Sequence, residues 1–309
     1  MAEEETVIRI AASLLVAAAV LMPGRPAPAE EVRIKHGGLT LNADLELAGG
    51  KTLADGVVLI VHGTLAHKDM EIVVALQDML KDRALTSLAI NLALGVDDRH
   101  GMFDCTAPHR HLDGDAMGEI AAWVAWLKGR GAGPVTLLGH SRSGNQVARY
   151  LIGIPDKAVK RAVLVAPGLG GADGYLEKGY LLSHKEPLAP VLARAEALVK
   201  AGKGDELLKG VGLVYCRDAN VAAATFVDYY RFDPARDTTA IVTKIKVPVL
   251  VVAATADKIN PRLIEKMKGK VGGKVSMVVI EDSGHFFRDL FGEDLADAIA
   301  EFIAKGPES

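Results

Sequence analysis

The chain has 309 residues, of which 50% are hydrophobic and 24% charged, a balance that excludes disordered and fibrous classes and fits a globular protein with a sizeable core. A formal net charge of −3 leaves no excess of Lys and Arg to neutralise phosphates. Nucleic acid is therefore excluded as the natural partner, and a small molecule is expected instead.

In chain order, the first segment is MAEEETVIR, followed by the apolar run IAASLLVAAAVLM, Ile10 to Met22. That run is too short to span a bilayer. In the PGRPAPAEE that follows, Ala27-Pro28-Ala29 fits an A-x-A cleavage pattern. Residues 1–29 thus read as a secretory signal peptide, leaving residues 30–309 as an exported chain, periplasmic or secreted, with no stable membrane span. The acidic start departs from the usual basic one; a retained amphipathic helix or a misassigned start codon are the competing readings.

VRIKHGGLTLNADLEL then predicts a hairpin. GVVLIVHG (Gly56 to Gly63) is a continuous apolar strand, MEIVVALQDMLKDRA an amphipathic helix, LTSLAINLAL (Leu85 to Leu94) a strand, and AMGEIAAWVAWLKGRG a helix stopped by glycines. PVTLLGH, SGNQVARYLIG and VKRAVLVAPG repeat strand, helix and strand. The alternation lapses over about 169–243, where KEPLAPVLARAEALVKAGKGDELLKG and VAAATFVDYYRF read as helices with no strand between them, the pattern of a helical lid inserted into one domain. Its apolar positions Leu188, Leu192, Leu198, Tyr229, Tyr230 and Phe232 either pack the lid's own core or line a pocket. VPVLVVAATADK, PRLIEKMKGK, VSMVVIEDSGHFF and EDLADAIAEFIA then resume strand, helix, strand, helix. Continuous rather than alternating apolar strands imply burial on both faces, so the fold class is α/β with a mainly parallel central sheet and helices on both sides.

In VTLLGHSRSGNQVARYL, Val135 to Leu151, the hexapeptide GHSRSG falls between a buried strand and a helix. A serine there sits on a turn so tight that the positions two before and two after must be small. Gly139 meets this requirement, and Ser143 stands in the second position with Gly144 behind it. A helix merely capped by Ser141 or Ser143 is the plain alternative. A serine hydroxyl needs a base to take its proton and a carboxylate to hold that base's tautomer. Asp257, past the strand VPVLVVAAT, and His285, past VSMVVIE, follow in the order Ser, Asp, His, each beyond the C-terminal end of a strand, where open parallel sheets gather ligands.

VLIVHG, GHSRSG, LVAPG, TADK and DSGHFF together resemble successive signatures of the α/β-hydrolase superfamily, from Gly56 to the C-terminus. The resemblance implies the α/β-hydrolase fold, Ser141 as nucleophile, Asp257 as acid and His285 as base. It also implies an oxyanion hole formed by the backbone N–H groups of Thr64 and Arg142, with Leu65 as the substitute for Thr64, and gives the His62 side chain a bracing role. The expected activity is hydrolysis of an ester or related acyl bond through an acyl-enzyme on a small-molecule acyl substrate. Thioesters, lactones and amides fit the same chemistry, and an acyltransferase or a catalytically silent binding protein of this fold are the alternatives.

No cofactor or metal is expected. DDRHGMFDCTAPHRHLDGD, Asp97 to Asp115, crowds His100, Cys105, His109 and His111 among acidic positions, yet no H-E-x-x-H or paired C-x-x-C accompanies them, and a polar rim beside the active site is the preferred reading. GLGGADG (Gly168 to Gly174) does not match a dinucleotide fingerprint, and AGKGDE lacks the Lys-Ser or Lys-Thr of a phosphate loop. Cys105 and Cys216 lie outside the predicted core strands, one in the rim loop and one in the lid; in an exported chain they would bridge the two, and two unconnected thiols are the alternative.

Overall fold

The computed structural model describes residues 29–171 and 174–305. The candidate leader lies outside the described residues, apart from its last position, Ala29. Eight strands form one sheet in the order β1-β2-β4-β3-β5-β6-β9-β10. They are β1 (Glu30–His36), β2 (Leu39–Glu46), β3 (Val57–Val61), β4 (Ser87–Ile90), β5 (Val135–His140), β6 (Val159–Val165), β9 (Val249–Ala254) and β10 (Val275–Ile280). β7 (Leu207–Leu213) and β8 (Cys216–Ala222) make a separate antiparallel pair. The opening hairpin β1/β2 turns on Gly37 and Gly38, both at positive φ, which a two-residue turn of this hand requires. β2 runs antiparallel to β4, and every strand from β4 to β10 across the sheet is parallel to its neighbour.

Alternate side chains of the parallel strands feed two apolar layers, because successive residues point to opposite faces. Leu59, Val61 and Leu137 join the layer containing Ile120, Trp123 and Leu127 of α2 (Asp115–Gly129) and Val147 and Tyr150 of α3 (Arg142–Gly153). Val58, Ile60 and Leu138 join the layer containing Leu76 and Leu80 of α1 (Glu71–Asp82) and Leu295 and Ile299 of α9 (Leu290–Ala304). The double burial expected from the sequence holds for the central strands. β10, at the sheet's edge, leaves Ser276 and Val279 exposed.

The chain steps from β3 outward to β4 and then back across β3 to β5. The C-terminal ends of β3 and β5 therefore face a gap left by the reversal, the position at which open α/β sheets bind ligands.

Between β6 and β9 the chain leaves the sheet. This insertion contains α4 (Tyr175–His184), α5 (Leu188–Lys200), the β7/β8 hairpin, α6 (Ala223–Tyr230) and the single turn α7 (Thr238–Ile241), and α8 (Leu263–Met267) follows β9. The expectation of helices without an intervening strand is corrected by the hairpin. The LLKG of GDELLKG opens a strand and is not the end of a helix, since α5 stops at Lys200 with Gly202 at positive φ behind it and β7 begins at Leu207. The insertion has its own apolar cluster, in which Leu188, Tyr180, Phe226, Tyr229 and Tyr230 are buried and Leu192 and Leu198 partly so; Phe232 is exposed. A disulfide joins Cys105, in the loop after β4, to Cys216 of β8 across 111 residues of chain. Among the described residues no helix is long and apolar enough to cross a membrane.

Candidate active site

Ser141 has φ 57° and ψ −122°, a conformation that L residues rarely adopt and that persists only when the surroundings enforce it. The surroundings here are the close crossing of β5 and α3. A Cβ on Gly139 would overlap the backbone of Ser143, and one on Gly144 would strike Pro167, so both positions exclude larger residues. Ser143 is buried; its hydroxyl donates to the His62 carbonyl, with Gln146 Oε1 as a second acceptor within 2.8 Å. The side chain of Ser143 thus ties the start of α3 to the loop after β3 and faces away from the role that a capped-helix reading would give it.

His285 Nε2 lies 2.9 Å from Ser141 Oγ, and His285 Nδ1 lies 2.8 Å from Asp257 Oδ2. The other carboxylate oxygen of Asp257 accepts the backbone N–H groups of Ile259 and Asn260 at 2.7 and 2.9 Å. Burial works to raise the Asp257 carboxyl, but the His285 ring and these N–H groups outweigh it and hold the group below its ordinary range. An ionised Asp257 fixes the proton of His285 on Nδ1 and leaves Nε2 free to accept from Ser141. All three sequence-predicted residues are therefore in one hydrogen-bonded chain.

Thr64 follows β3 through His62 and Gly63. A Cβ on Gly63 would sit 3.4 Å from Ser141 Cβ, so the β3 loop is packed directly against the turn holding Ser141. Thr64, Ser141 and Arg142 line one cavity of about 540 Å³. Neither the Thr64 nor the Arg142 N–H has an acceptor among the described residues. Leu65 does not line that cavity; its side chain is buried in the insertion's apolar cluster.

His62 braces this loop, as the resemblance implied. Its Nε2 accepts the Leu92 N–H at 3.0 Å and faces Arg99 Nη2 at 3.2 Å, which places the ring proton on Nδ1, where it is donated to the Gly63 carbonyl at 2.9 Å. Burial, with Arg99 adding to it, pushes His62 down to about 3, so the ring stays neutral. Arg99 also donates to the carbonyls of Leu92 and Ala66 and to Asn91 Oδ1, each at 2.8 Å.

Two supports were not picked out from the sequence. His140, the residue before Ser141, donates Nε2–H to the His285 carbonyl at 2.9 Å, and its ring packs tilted against the His285 ring with centroids 4.9 Å apart. Burial and the neighbouring His285 push His140 down to about 4. Asn260 donates to the Ala166 carbonyl at 2.8 Å, anchoring the turn that carries Asp257. The G-x-S position of His140 was the available signal; the role of Asn260 leaves none.

The stretch read as a polar rim is exposed at about half of its positions, but its polar side chains His109, His111 and Asp113 are interior. His109 is covered by β8, exchanging backbone hydrogen bonds with Asn220 and Ala222; His111 Nε2 contacts the hydroxyl of Tyr229 on α6 at 2.8 Å; and Asp113 accepts from Arg142, Gln146 and Arg149 of α3 while its N–H donates to Asp228 of α6. Burial pushes His109 and His111 down to about 4 and about 3, so both rings are neutral. Among the described residues no group of His, Cys, Asp and Glu is placed to hold a metal ion.

A parallel sheet with a strained serine at a strand end, an interposed cap and a Ser-His-Asp chain defines the α/β-hydrolase class. The chain belongs to the alpha/beta hydrolase family, whose model matches residues 57–302. Est1E from Butyrivibrio proteoclasticus with ferulic acid bound is similar in fold, with TM-score 0.64, 19% identity, and coverage of 89% of this chain and 98% of that one. A monoacylglycerol lipase from Paleococcus ferrophilus gives TM-score 0.59, 21% identity and coverage of 86% and 98%. The alpha/beta hydrolase GrgF from Penicillium sp. sh18 gives TM-score 0.64, 16% identity and coverage of 91% and 99%. No curated protein matches the sequence significantly.

Proposed function

We propose that this protein is a serine hydrolase that cleaves an ester or related acyl bond through an acyl-enzyme on Ser141. The observation that carries the reading is the unbroken chain from Ser141 Oγ through His285 to Asp257, at 2.9 and 2.8 Å. In the first half-reaction Ser141 Oγ bonds to the carbonyl carbon while its proton passes to His285 Nε2. The oxygen that becomes negative is received by the N–H groups of Thr64 and Arg142, each donor worth about 3 kcal/mol of barrier. Collapse expels the alcohol, which takes the proton from His285. Water then attacks the acyl carbonyl while giving its proton to His285, and the bond to Ser141 Oγ breaks as His285 returns that proton to it, releasing the acid and free Ser141. The insertion acts as the lid. The monoacylglycerol lipase among the structural neighbours agrees with an acyl substrate, and the ferulic acid bound to Est1E is of the acid class such a reaction releases. The leader sequence and the Cys105–Cys216 bridge support an exported protein.

A panel of chromogenic acyl esters of increasing chain length, with and without added alcohols, tests the reading. Hydrolysis is expected in the parent and in Ser143→Ala, and loss in Ser141→Ala. Undiminished turnover by Ser141→Ala would overturn the assignment.

A further inference from the structure

The cavity over Ser141 is unusually cationic for one that receives a neutral acyl chain. Lys178, Arg142, Arg231, Arg236 and Arg262 line it, with Asp113 the one carboxylate among its described lining residues; behind the wall Arg231 pairs with Glu196 at 3.2 Å and Arg236 with Asp228 at 2.7 Å. Asp113 is itself buried, and its two oxygens are divided between Arg142 Nη1 at 3.1 Å and Arg149 Nη1 at 2.5 Å, so one negative charge faces two guanidinium groups. Arg142 is held rigidly: Nε donates to Thr64 Oγ1 at 3.2 Å, and the guanidinium carbon lies 4.6 Å from the centre of the Tyr229 ring. That leaves Arg142 Nη2 with no acceptor among the described residues. Lys178, exposed on α4, has no ion-pair partner among them either.

A guanidinium fixed by stacking and two hydrogen bonds pays little further entropy when it binds a ligand, and its planar donors suit a carboxylate. A neutral chain pressed against the same groups would strip them of water and return nothing. The remaining lining, with Leu169, Leu176, Val214 and Ile259, suits an apolar body. We propose that Arg142 is a specificity-determining residue, and that the substrate is an acyl compound with an apolar body and a carboxylate seated on the Arg142 guanidinium, with Lys178 drawing it in. The proposal rests on the hydrolase reading above.

Two matched pairs of esters test it and locate the charge. 4-Nitrophenyl hydrogen adipate against 4-nitrophenyl hexanoate places the carboxylate on the acyl side; 4-hexanoyloxybenzoate against its methyl ester places it on the alcohol side. The charged member of one pair should be favoured in kcat/KM by about tenfold or more, as expected for a charged hydrogen bond. The preference should shrink as salt rises, collapse in Arg142→Met and survive in part in Arg142→Lys. Lys178→Met, at an exposed position, should lower it by a smaller factor, and serves if Arg142→Met proves unfolded by circular dichroism. No preference in either pair, or one that Arg142→Met leaves intact, overturns the proposal. If no ester is cleaved and Ser141 resists a fluorophosphonate, the hydrolase reading has failed. Calorimetry of adipate and 4-hydroxybenzoate on Ser141→Ala then decides the anion site separately: salt-sensitive binding lost on adding Arg142→Met supports it, and no binding overturns it.

Discussion

The sheet body and the insertion are ordered by different means. In the body, side chains of β3, β5, β6 and β9 alternate between two apolar layers, and the helices that cover them bury whole faces. The insertion has one smaller cluster, which also takes in Leu65 and Phe103 of the body, and is fastened to the body by individual ties, among them the Cys105–Cys216 bridge, the pairing of His109 with β8, the contacts of Tyr229 with His111 and Arg142, and the hydrogen bonds of Asn145 to Ala235 and of Tyr215 to Leu65. Every atom of the Ser141, His285 and Asp257 chain is carried by the body, at the ends of β5, β10 and β9. The insertion instead supplies Lys178, Tyr229, Arg231 and Arg236 to the cavity wall. On the proposed function, reactivity and selectivity are thereby separated: the first depends on a rigid layered core, the second on an insertion held by individual ties.

The largest expected effect falls on the body. His285→Ala should lower kcat/KM on the order of 10⁴- to 10⁶-fold, because the three residues act as a unit, and Asp257→Asn on the order of 10⁴-fold through the wrong tautomer. Steady-state kinetics on the ester panel checks both. A loss of less than a hundredfold in either would mean that the body does not hold the reactive chain.

The next effect should separate the two regions. Replacing Cys105 and Cys216 with Ser opens a loop closed across 111 residues, a change of about 4 to 5 kcal/mol on chain-entropy grounds. Hydrogen exchange should show the loss over α4 to α6, with β3, β5 and β9 still protected. Uniform loss would join the insertion to the body as one cooperative unit. Core truncations sharpen the same contrast. Trp123→Ala, at a fully buried site under the sheet, should cost the whole molecule about 3 to 5 kcal/mol, seen as a lower melting temperature. Phe226→Ala removes an equally buried ring, but its loss should appear as faster exchange in the insertion and a changed ester preference.

The smallest effect concerns Glu119, buried on α2 with Oε2 accepting the Ala93 N–H. Burial pushes its carboxyl up to about 7; the Ala93 N–H and Arg99 oppose the rise and Asp115 adds to it. The folded state therefore holds a proton that the unfolded chain releases near its ordinary 4.5. This contribution to stability is full below about pH 4.5 and is lost as pH rises to about 7, amounting to about 3 kcal/mol. Denaturant midpoints of Glu119→Gln across that range should lack this slope. An identical slope in the variant would assign the pH dependence elsewhere.

Much of this arrangement is legible in the sequence, for identifiable reasons. Val57–Val61 and Val249–Ala254 are strands buried on both faces, so their runs are continuous and apolar. Gly139 and Gly144 are small because the backbone crossing admits nothing else. The β7/β8 hairpin is illegible because it breaks the ordinary turn chemistry. Its turn is Val214-Tyr215, with Val214 at φ 56°, where glycine, asparagine or aspartate is the usual choice. The Val214 N–H is held by the Tyr230 hydroxyl at 2.8 Å, a tertiary contact that no local window contains. The same holds for His109, His111 and Asp113, which look like a polar rim until a segment more than a hundred residues away covers them.

The central claim, that the body alone assembles a reactive serine, is tested most directly by treating the protein with a fluorophosphonate and locating the adduct by peptide mass, in the parent and in His285→Ala. The account predicts one adduct, on Ser141, that is lost in His285→Ala and retained in Ser143→Ala and in the Cys105→Ser, Cys216→Ser double variant. An adduct on Ser143, or labelling of Ser141 that proceeds equally well without His285, would contradict it.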